Sequence, residues 1–200
     1  HVFANEENVE TSVRYDQIYD PIEPINRAVL SFNFFIDDIA IRPVVKTYKF
    51  IAPDPVEKGV SNFFSNLKEP IRGISFVFQG EFMKSLNSVG RFTVNSLTSL
   101  GTFDLASRIG MTKNETDLGL TLAKNGVSSG PYIVVPIIGP SNLRDLSGNV
   151  AEYFVDPISN NIQNRTYISV GSGLNARAEV DEEVDQVREL STDRYELIKS

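Results

Sequence analysis

Ile22-Glu23-Pro24-Ile25-Asn26-Arg27-Ala28-Val29-Leu30-Ser31-Phe32-Asn33-Phe34-Phe35-Ile36-Asp37-Asp38-Ile39-Ala40 is the stretch whose reading decides the fold. Turned at about 100° per residue, Glu23, Asn26, Arg27, Ser31, Asn33, Asp37 and Asp38 gather within an arc of roughly 160°. Ile22, Ile25, Ala28, Val29, Phe32, Phe35, Ile36, Ile39 and Ala40 fill the remainder, and Leu30 and Phe34 are the exceptions on the polar side. An apolar arc of roughly 200° is wider than a core-facing helix needs. It suits a helix lying in the plane of a membrane interface, or one packed on both sides in the centre of a core. The pattern alone leaves both open.

The same helical period runs through the rest of the chain, with Pro and Gly as punctuation. It predicts helices over 22–40, 43–51, 55–66, 70–79, 81–98, 103–109, 116–124, 141–154, 160–188 and 192–200. Asp54-Pro55-Val56-Glu57 reads as a helix start, with Asp54 as the cap, Pro55 in the first helical position and Glu57 reaching back. Ser141 and Thr192 read as caps of the same kind. The one β-like run is Tyr132-Ile133-Val134-Val135-Pro136-Ile137-Ile138, which Pro136 interrupts. The fold class is all-α.

Composition narrows the chemistry. The 200 residues are 41% hydrophobic, enough for one sizeable domain, read here as a flexible N-terminal segment over 1–15 and a single helical domain over 16–200. There is no cysteine, and the one histidine is His1. Disulfides, thiolate metal sites, cysteine nucleophiles and imidazole acid–base catalysis are therefore excluded or nearly so. The net charge of −7 is uneven. Glu6, Glu7, Glu10, Asp16, Asp20 and Glu23 face only Arg14 in the first 25 residues, and eight acids face four bases over 177–200. The intervening chain is near neutral, and no basic stripe suited to phosphate backbones is visible, which argues against a nucleic-acid partner. The acidic ends read as solvated helix faces. Of the 13 phenylalanines, 11 lie between Phe32 and Phe103, so the middle of the chain is the greasy part. No uninterrupted apolar run reaches the roughly 18 residues needed to span a bilayer. Val2-Phe3-Ala4 before Asn5-Glu6-Glu7 is similar to the end of a secretory signal peptide cut after Ala4.

Gly126-Val127-Ser128-Ser129-Gly130-Pro131-Tyr132, followed by Pro136, Gly139 and Pro140, cannot be helical throughout. It is no phosphate cradle, having no Gly-Lys-Ser/Thr ending. A structural turn cluster and a mobile hairpin with an apolar tip both fit it. Asp37-Asp38, Asp104 and Asp145 are acids without an evident partner for catalysis, since adjacent helical residues do not face one another. Arg144-Asp145 reads as a structural ion pair or helix-end contact. Gly171-Ser172-Gly173 has no base to activate a serine. No Asp-x-Asp-x-Asp-Gly loop marks a metal site. The residues point to no enzyme, no metal and no cofactor.

A set of phrases in fixed order then resembles one family: Asp20-Pro21-Ile22-Glu23-Pro24-Ile25-Asn26-Arg27, Arg42-Pro43, Gly59-Val60-Ser61-Asn62-Phe63, Asn66-Leu67-Lys68-Glu69-Pro70, Gln79-Gly80, Arg91-Phe92, Asn95-Ser96 and Asp104-Leu105-Ala106. It continues through Leu120-Thr121-Leu122, Gly130-Pro131-Tyr132, Gly139-Pro140-Ser141, Arg144-Asp145 and Asp193-Arg194-Tyr195. Together these resemble the MlaA (VacJ) family of outer-membrane lipoproteins. The resemblance implies a ring-like arrangement of helices in the inner leaflet of the Gram-negative outer membrane, on its periplasmic face. It implies phospholipid as cargo, taken from the outer leaflet and handed to the periplasmic lipid carrier MlaC, with a trimeric porin as companion. The family's lipidated cysteine is not in this sequence, which implies that the chain is held by its helices alone or starts short of that residue. The family also tends to more glycine where this chain reads Leu100-Gly101-Thr102-Phe103.

On this reading the Gly126–Pro140 segment is the moving part, comprising Gly126, Gly130, Pro131, Tyr132, Val134, Pro136, Ile137, Gly139 and Pro140. Gly126 and Gly130 are its hinges, and Tyr132, Val134 and Ile137 its lipid- or channel-facing surface. Asn26, Arg27, Phe32, Asn33, Phe34, Phe35 and Asp37 belong to the in-plane helix, with Asn33, Phe34, Phe35 and Asp37 as candidates for membrane position or channel lining. The competing expectation is a structural protein that binds outer-membrane partners through its amphipathic helices.

Overall fold

A computed structural model describes residues 18–158, 160, 165–190 and 193–200. The expected signal-peptide end, the boundary between 1–15 and 16–200, and the Thr192 cap lie outside these residues.

Helix α1 (Glu23–Ile36) does not end before Pro43 but continues into a π-turn (Asp37–Ile41) and then α2 (Arg42–Ile51). Proline inside an α-helix removes one N–H and pushes its ring against the carbonyl four residues back. Here the backbone widens first: the Arg42 N–H reaches back five residues to Asp37 O. The expected break at 41–42 is thereby replaced by a wider turn. Next come α3 (Asp54–Leu67), α4 (Glu69–Phe78), α5 (Phe82–Ser99), α6 (Leu105–Arg108) and α7 (Leu118–Lys124). A two-stranded antiparallel hairpin, β1 (Tyr132–Val135) and β2 (Gly139–Asn142), precedes α8 (Leu143–Val155), α9 (Arg165–Glu179), α10 (Asp181–Leu190) and α11 (Arg194–Lys199). The molecule is predominantly helical, as the period of the sequence indicates.

Several helix ends differ from expectation. Asp54 is inside α3 and caps nothing, because Pro53 occupies the N-cap. Asn142 caps α8 by accepting from the Asp145 N–H, so Ser141 is released to β2. Asp193 caps α11 by accepting from the N–H groups of Tyr195 and Glu196. The single helix expected over 160–188 is divided between α9 and α10. Leu100 ends α5 in the left-handed region at φ 54°, the conformation that glycine adopts more cheaply.

Polar side chains make up much of the interior, beside an apolar set that includes Val45, Ile71, Phe76 and Leu118. In α5, Ser85, Ser88, Arg91 and Asn95 form the buried stripe, while Phe82, Met83, Leu86, Val89 and Leu97 are exposed. Arg91 is only 2% exposed and Glu69 1%. The Arg91 guanidinium donates to Glu69 Oε1 (3.0 Å), Asp104 Oδ2 (2.8 Å), Ser107 Oγ (2.9 Å) and Met111 O (2.7 Å). Asn95 links the same cluster, donating to Asp104 Oδ1 and accepting from the Ala106 N–H. These bonds tie α4, α5 and α6 through fixed directions rather than through apolar volume. Elsewhere the backbones themselves meet: a Cβ added at Gly148 of α8 would lie 2.3 Å from the Gly119 nitrogen of α7.

Candidate functional site

Of the polar arc, Asn26 of α1 and Asp37 of the π-turn are buried together with Leu30, whereas Ser31 and Asp38 are exposed, as are the apolar Ile25, Phe32, Phe35 and Ile39. Phe35 is 57% exposed. Leu30 and Phe34, the two apolar exceptions, lie against β1 and α11 in a cluster with Tyr132, Val134 and Tyr195. Large apolar side chains are exposed along other helices too, including Phe50, Phe78, Phe82, Met83, Leu97, Phe154 and Tyr167. Among the described residues no helix is long and apolar enough to cross a membrane.

The hairpin is seated on α1 by two carboxamides. Asn26 donates to Tyr132 O (3.0 Å) and accepts from the Val134 N–H (2.8 Å). Asn33 donates to Val135 O (3.0 Å) and accepts from the Ile137 N–H (2.7 Å). Each amide thus stands in for a neighbouring strand. Seven helical residues rise about 10.5 Å, and three residues of extended chain span about 10 Å, so the two asparagines meet β1 in register. Pro140, paired opposite Val134, has no N–H to offer the strand. Tyr132 and Val134, expected on a lipid- or channel-facing surface, are therefore buried against α1 and α11. Asn33, expected at a membrane or channel surface, is the clamp on the hairpin tip.

The tip is Pro136-Ile137-Ile138, and both isoleucines are exposed, Ile137 by 69%. Ile137 has φ 69°, a conformation costly for a β-branched residue and of the order of 1–3 kcal/mol when held in place. Gly126, Gly130 and Gly139 have φ of 85°, 70° and 101°. Pro131 leads into β1, and Pro131 O accepts from the Leu143 N–H at the start of α8.

The remaining residues of the in-plane helix fasten the C-terminal helices. Arg27 pairs with Glu23 (2.7 Å), Asp193 (2.9 Å) and Glu196 (2.9 Å), and its guanidinium lies 4.4 Å from the centre of the Tyr195 ring. Those hydrogen bonds, Glu23 foremost, keep the Arg27 pKa above its ordinary value. Tyr195 donates its hydroxyl to Asp20. Burial first, then the Asp20 carboxylate, pushes that phenol up. Asp37, expected as channel lining or a membrane determinant, instead receives Arg177 (2.9 Å) and Arg188 (2.6 Å). Asp181 and Asp185 of the acidic terminal stretch pair with Lys46, and Asp185 also with Arg42, so this part of the stretch is not a solvated face.

A cavity of about 540 Å³ opens between α3, α4, α7, α8 and α9, a size common for ligand sites. Phe64, Leu67, Ile71, Leu120 and Ile168 supply its apolar wall, and Lys68, Glu152, Tyr153 and Arg165 stand among its polar groups. No motif or periodicity marks these residues as a site, because they come from five elements spread over more than a hundred residues. Arg144 and Asp145 form the expected local ion pair (2.8 Å), and the arginine keeps the Asp145 pKa below its ordinary value.

Comparison with known proteins adds the family context. A family model described as MlaA lipoprotein matches residues 18–200. An uncharacterized protein of Rickettsia felis is 37% identical over 188 residues, covering 92% of this chain and 75% of its own length. The Escherichia coli protein named intermembrane phospholipid transport system lipoprotein MlaA is 34% identical over 145 residues, covering 70% of this chain and 58% of that protein. A solved structure, described as the structural basis for maintenance of bacterial outer membrane lipid asymmetry, aligns with a TM-score of 0.78 at 29% identity, over 90% of this chain and 93% of the other.

Proposed function

The chain belongs to the MlaA lipoprotein family, and on that premise we propose that it is a non-enzymatic component of intermembrane phospholipid transport that maintains outer-membrane lipid asymmetry. It works at the periplasmic face of the outer membrane, with its apolar helix faces in the inner leaflet. Mislocalised phospholipid of the outer leaflet enters an amphipathic path between the helices and passes to the periplasmic carrier MlaC, beside a trimeric porin.

The observation that carries this reading is the inverted burial of α5, with serine, arginine and asparagine inside and phenylalanine, methionine and leucine outside, together with the exposed Ile25, Phe32 and Phe35 of α1. A protein surrounded by water alone pays for such a surface and gains nothing from it. Immersed in acyl chains, the same faces are solvated and the polar interior is what holds the helices together. The path itself follows from the cargo: each exposed methylene costs about 0.8 kcal/mol, so two acyl chains must stay screened while the headgroup keeps polar contact. Catalysis is not needed, since the lipid leaves as it entered, and transport direction is set by the acceptor.

The test is surface-exposed phospholipid in host cells with and without the gene. A rise on deletion that the gene reverses is expected, and an unchanged level would remove the role in asymmetry. Liposome flotation separates this from the interaction-protein reading. The purified protein is expected to float, and the pair Phe32→Asp and Phe35→Asp to lower flotation at least about ten-fold, since each ring contributes about 1.5–3 kcal/mol. Indifference to liposomes by the unaltered protein favours the interaction protein.

The hairpin is proposed as the moving part, pivoting on Gly126 and Gly130 when the Asn26 and Asn33 bonds release, with the exposed side chains of Ile137 and Ile138 in contact with lipid. Gly130→Val forces a side chain into positive φ, which costs about 1–2 kcal/mol, and sets its Cβ 3.2 Å from that of Leu143. Helical content is expected to persist while complementation of the deletion falls. Full complementation by Gly130→Val would eliminate the hinge.

A further inference from the structure

We propose that the cavity between α3, α4, α7, α8 and α9 selects phospholipids whose headgroup carries a primary ammonium over those with a quaternary ammonium or an uncharged polyol. The inference rests on the transport reading and names the class of lipid that the path favours.

The cavity wall carries the carboxylates of Glu115, Asp117, Glu152 and Asp156 and the cations of Lys68, Arg72 and Arg165. The two arginines are already committed. Arg72 pairs with Glu69 and Glu115, and Arg165 donates to Asn160 and Tyr153 O with its guanidinium over the Tyr153 ring. Lys68 forms no salt bridge with any described residue, so its ammonium is the cation available to a lipid phosphate.

The acids are arranged differently. Glu152 Oε1 accepts from the Leu118 N–H (2.7 Å) and Asp117 Oδ1 from the Leu120 N–H (2.5 Å), both at the start of α7. Each carboxylate is thereby oriented through one oxygen, while Glu152 Oε2 and Asp117 Oδ2 accept no hydrogen bond from the described residues. Burial first, with the neighbouring Asp117 charge in the same sense, pushes the Glu152 carboxyl above its ordinary value, against the Leu118 N–H and the Lys68 charge.

A primary ammonium brings three N–H donors and one positive charge to such oxygens. A quaternary ammonium brings the charge without donors. A polyol headgroup leaves the lipid anionic and brings no positive charge to the Glu152 and Asp117 oxygens. Phe64, Leu67 and Ile71 line the same cavity beside Lys68, where the first methylenes of the acyl chains would follow the phosphate.

The experiment uses the full chain in non-ionic detergent with an equimolar mixture of phosphatidylethanolamine, phosphatidylcholine and phosphatidylglycerol of matched acyl chains. Lipid retained through gel filtration is quantified by mass spectrometry. Phosphatidylethanolamine is expected to exceed each of the others about five-fold, the effect of one charge-assisted hydrogen bond at a partly solvated site. Glu152→Gln keeps an acceptor for the Leu118 N–H, and is expected to bring phosphatidylethanolamine down to the level of the other two; Asp117→Asn is the second variant. Lys68→Gln is expected to lower retention of all three, because they share the phosphate. Equal retention of the three lipids by the unaltered protein overturns the selectivity and leaves transport standing. An undiminished preference in both Glu152→Gln and Asp117→Asn overturns the assignment of the ammonium to these carboxylates. Retention of no phospholipid at all overturns the transport reading and this inference with it.

Discussion

Arg91→Ala is expected to destabilise the protein by about 3–5 kcal/mol, the cost of leaving a buried charge without its partner. The side chain removed is one of the largest fully buried in the molecule. Glu69, just as deeply buried, would retain only the 3.4 Å approach of Arg72. Ser107 Oγ, Met111 O and the Asp104 carboxylate would each lose a donor in the same step. Chemical denaturation followed by circular dichroism measures the loss, and a change below about 1 kcal/mol would mean that water replaces the guanidinium without penalty. Combining Arg91→Met with Glu69→Gln is expected to recover much of the stability, because the uncompensated charge then goes as well.

The same cluster gives a pH dependence. Burial alone pushes Asp104 upward, but its bonds from Ser107, Arg91 and Asn95 prevail and hold its pKa below the ordinary carboxylate value. A carboxylate lowered on folding contributes stability that is fully present above its unfolded pKa, about 3.9, and lost as pH falls through the lower folded value. Acid unfolding of the unaltered protein therefore includes a contribution from Asp104 below about pH 4, and that contribution is expected to shrink in Arg91→Ala.

Asn26→Leu is the second substitution with a large expected effect. It strips Tyr132 O and the Val134 N–H of their buried partner, and each buried group left unsatisfied costs about 1–3 kcal/mol. Asp20 also loses the Asn26 amide at 2.8 Å. Leucine is near asparagine in size, so the loss is one of bonding rather than volume. Hydrogen exchange is expected to speed up at the Val134 amide well before the α5 amides respond. In cells, the loosened hairpin is expected to raise surface phospholipid as deletion does. Unaltered exchange at Val134 would show that β1 is held by its apolar contacts with Leu30 and Tyr195 alone. Asn33→Leu is the milder companion, since it releases only the hairpin tip.

These expectations also show what was legible beforehand. Helical periodicity is local, so the residue order separates a polar from an apolar side along α1 and the π-turn. Which side faces the protein was not legible: the usual assignment of apolar residues to the interior presumes water outside. The hairpin was visible in the Gly126–Pro140 pattern, but its clamp was not, since Asn26 and Asn33 lie more than a hundred residues from their strand. Asp54 looked like a cap because its spacing to Glu57 was right, yet Pro53 had already taken the extended conformation that a cap requires. The acidic terminal stretch looked solvated because its partners Arg42 and Lys46 belong to a distant helix.

By itself the sequence determined the helical class, the scarcity of catalytic side chains, the Gly/Pro-rich hairpin and the family. Each of these depends on residue types and short spacings. Tertiary structure alone decided that the polar stripe of α5 and Asn26 of α1 point inward, that a cavity of mixed character opens among five helices, and that Gly119 and Gly148 bring two backbones into contact. The physical reason is common to all three. A side chain's period states which residues share a face, whereas the partner that covers the face, whether another helix, a strand edge or lipid, is chosen only when distant segments meet.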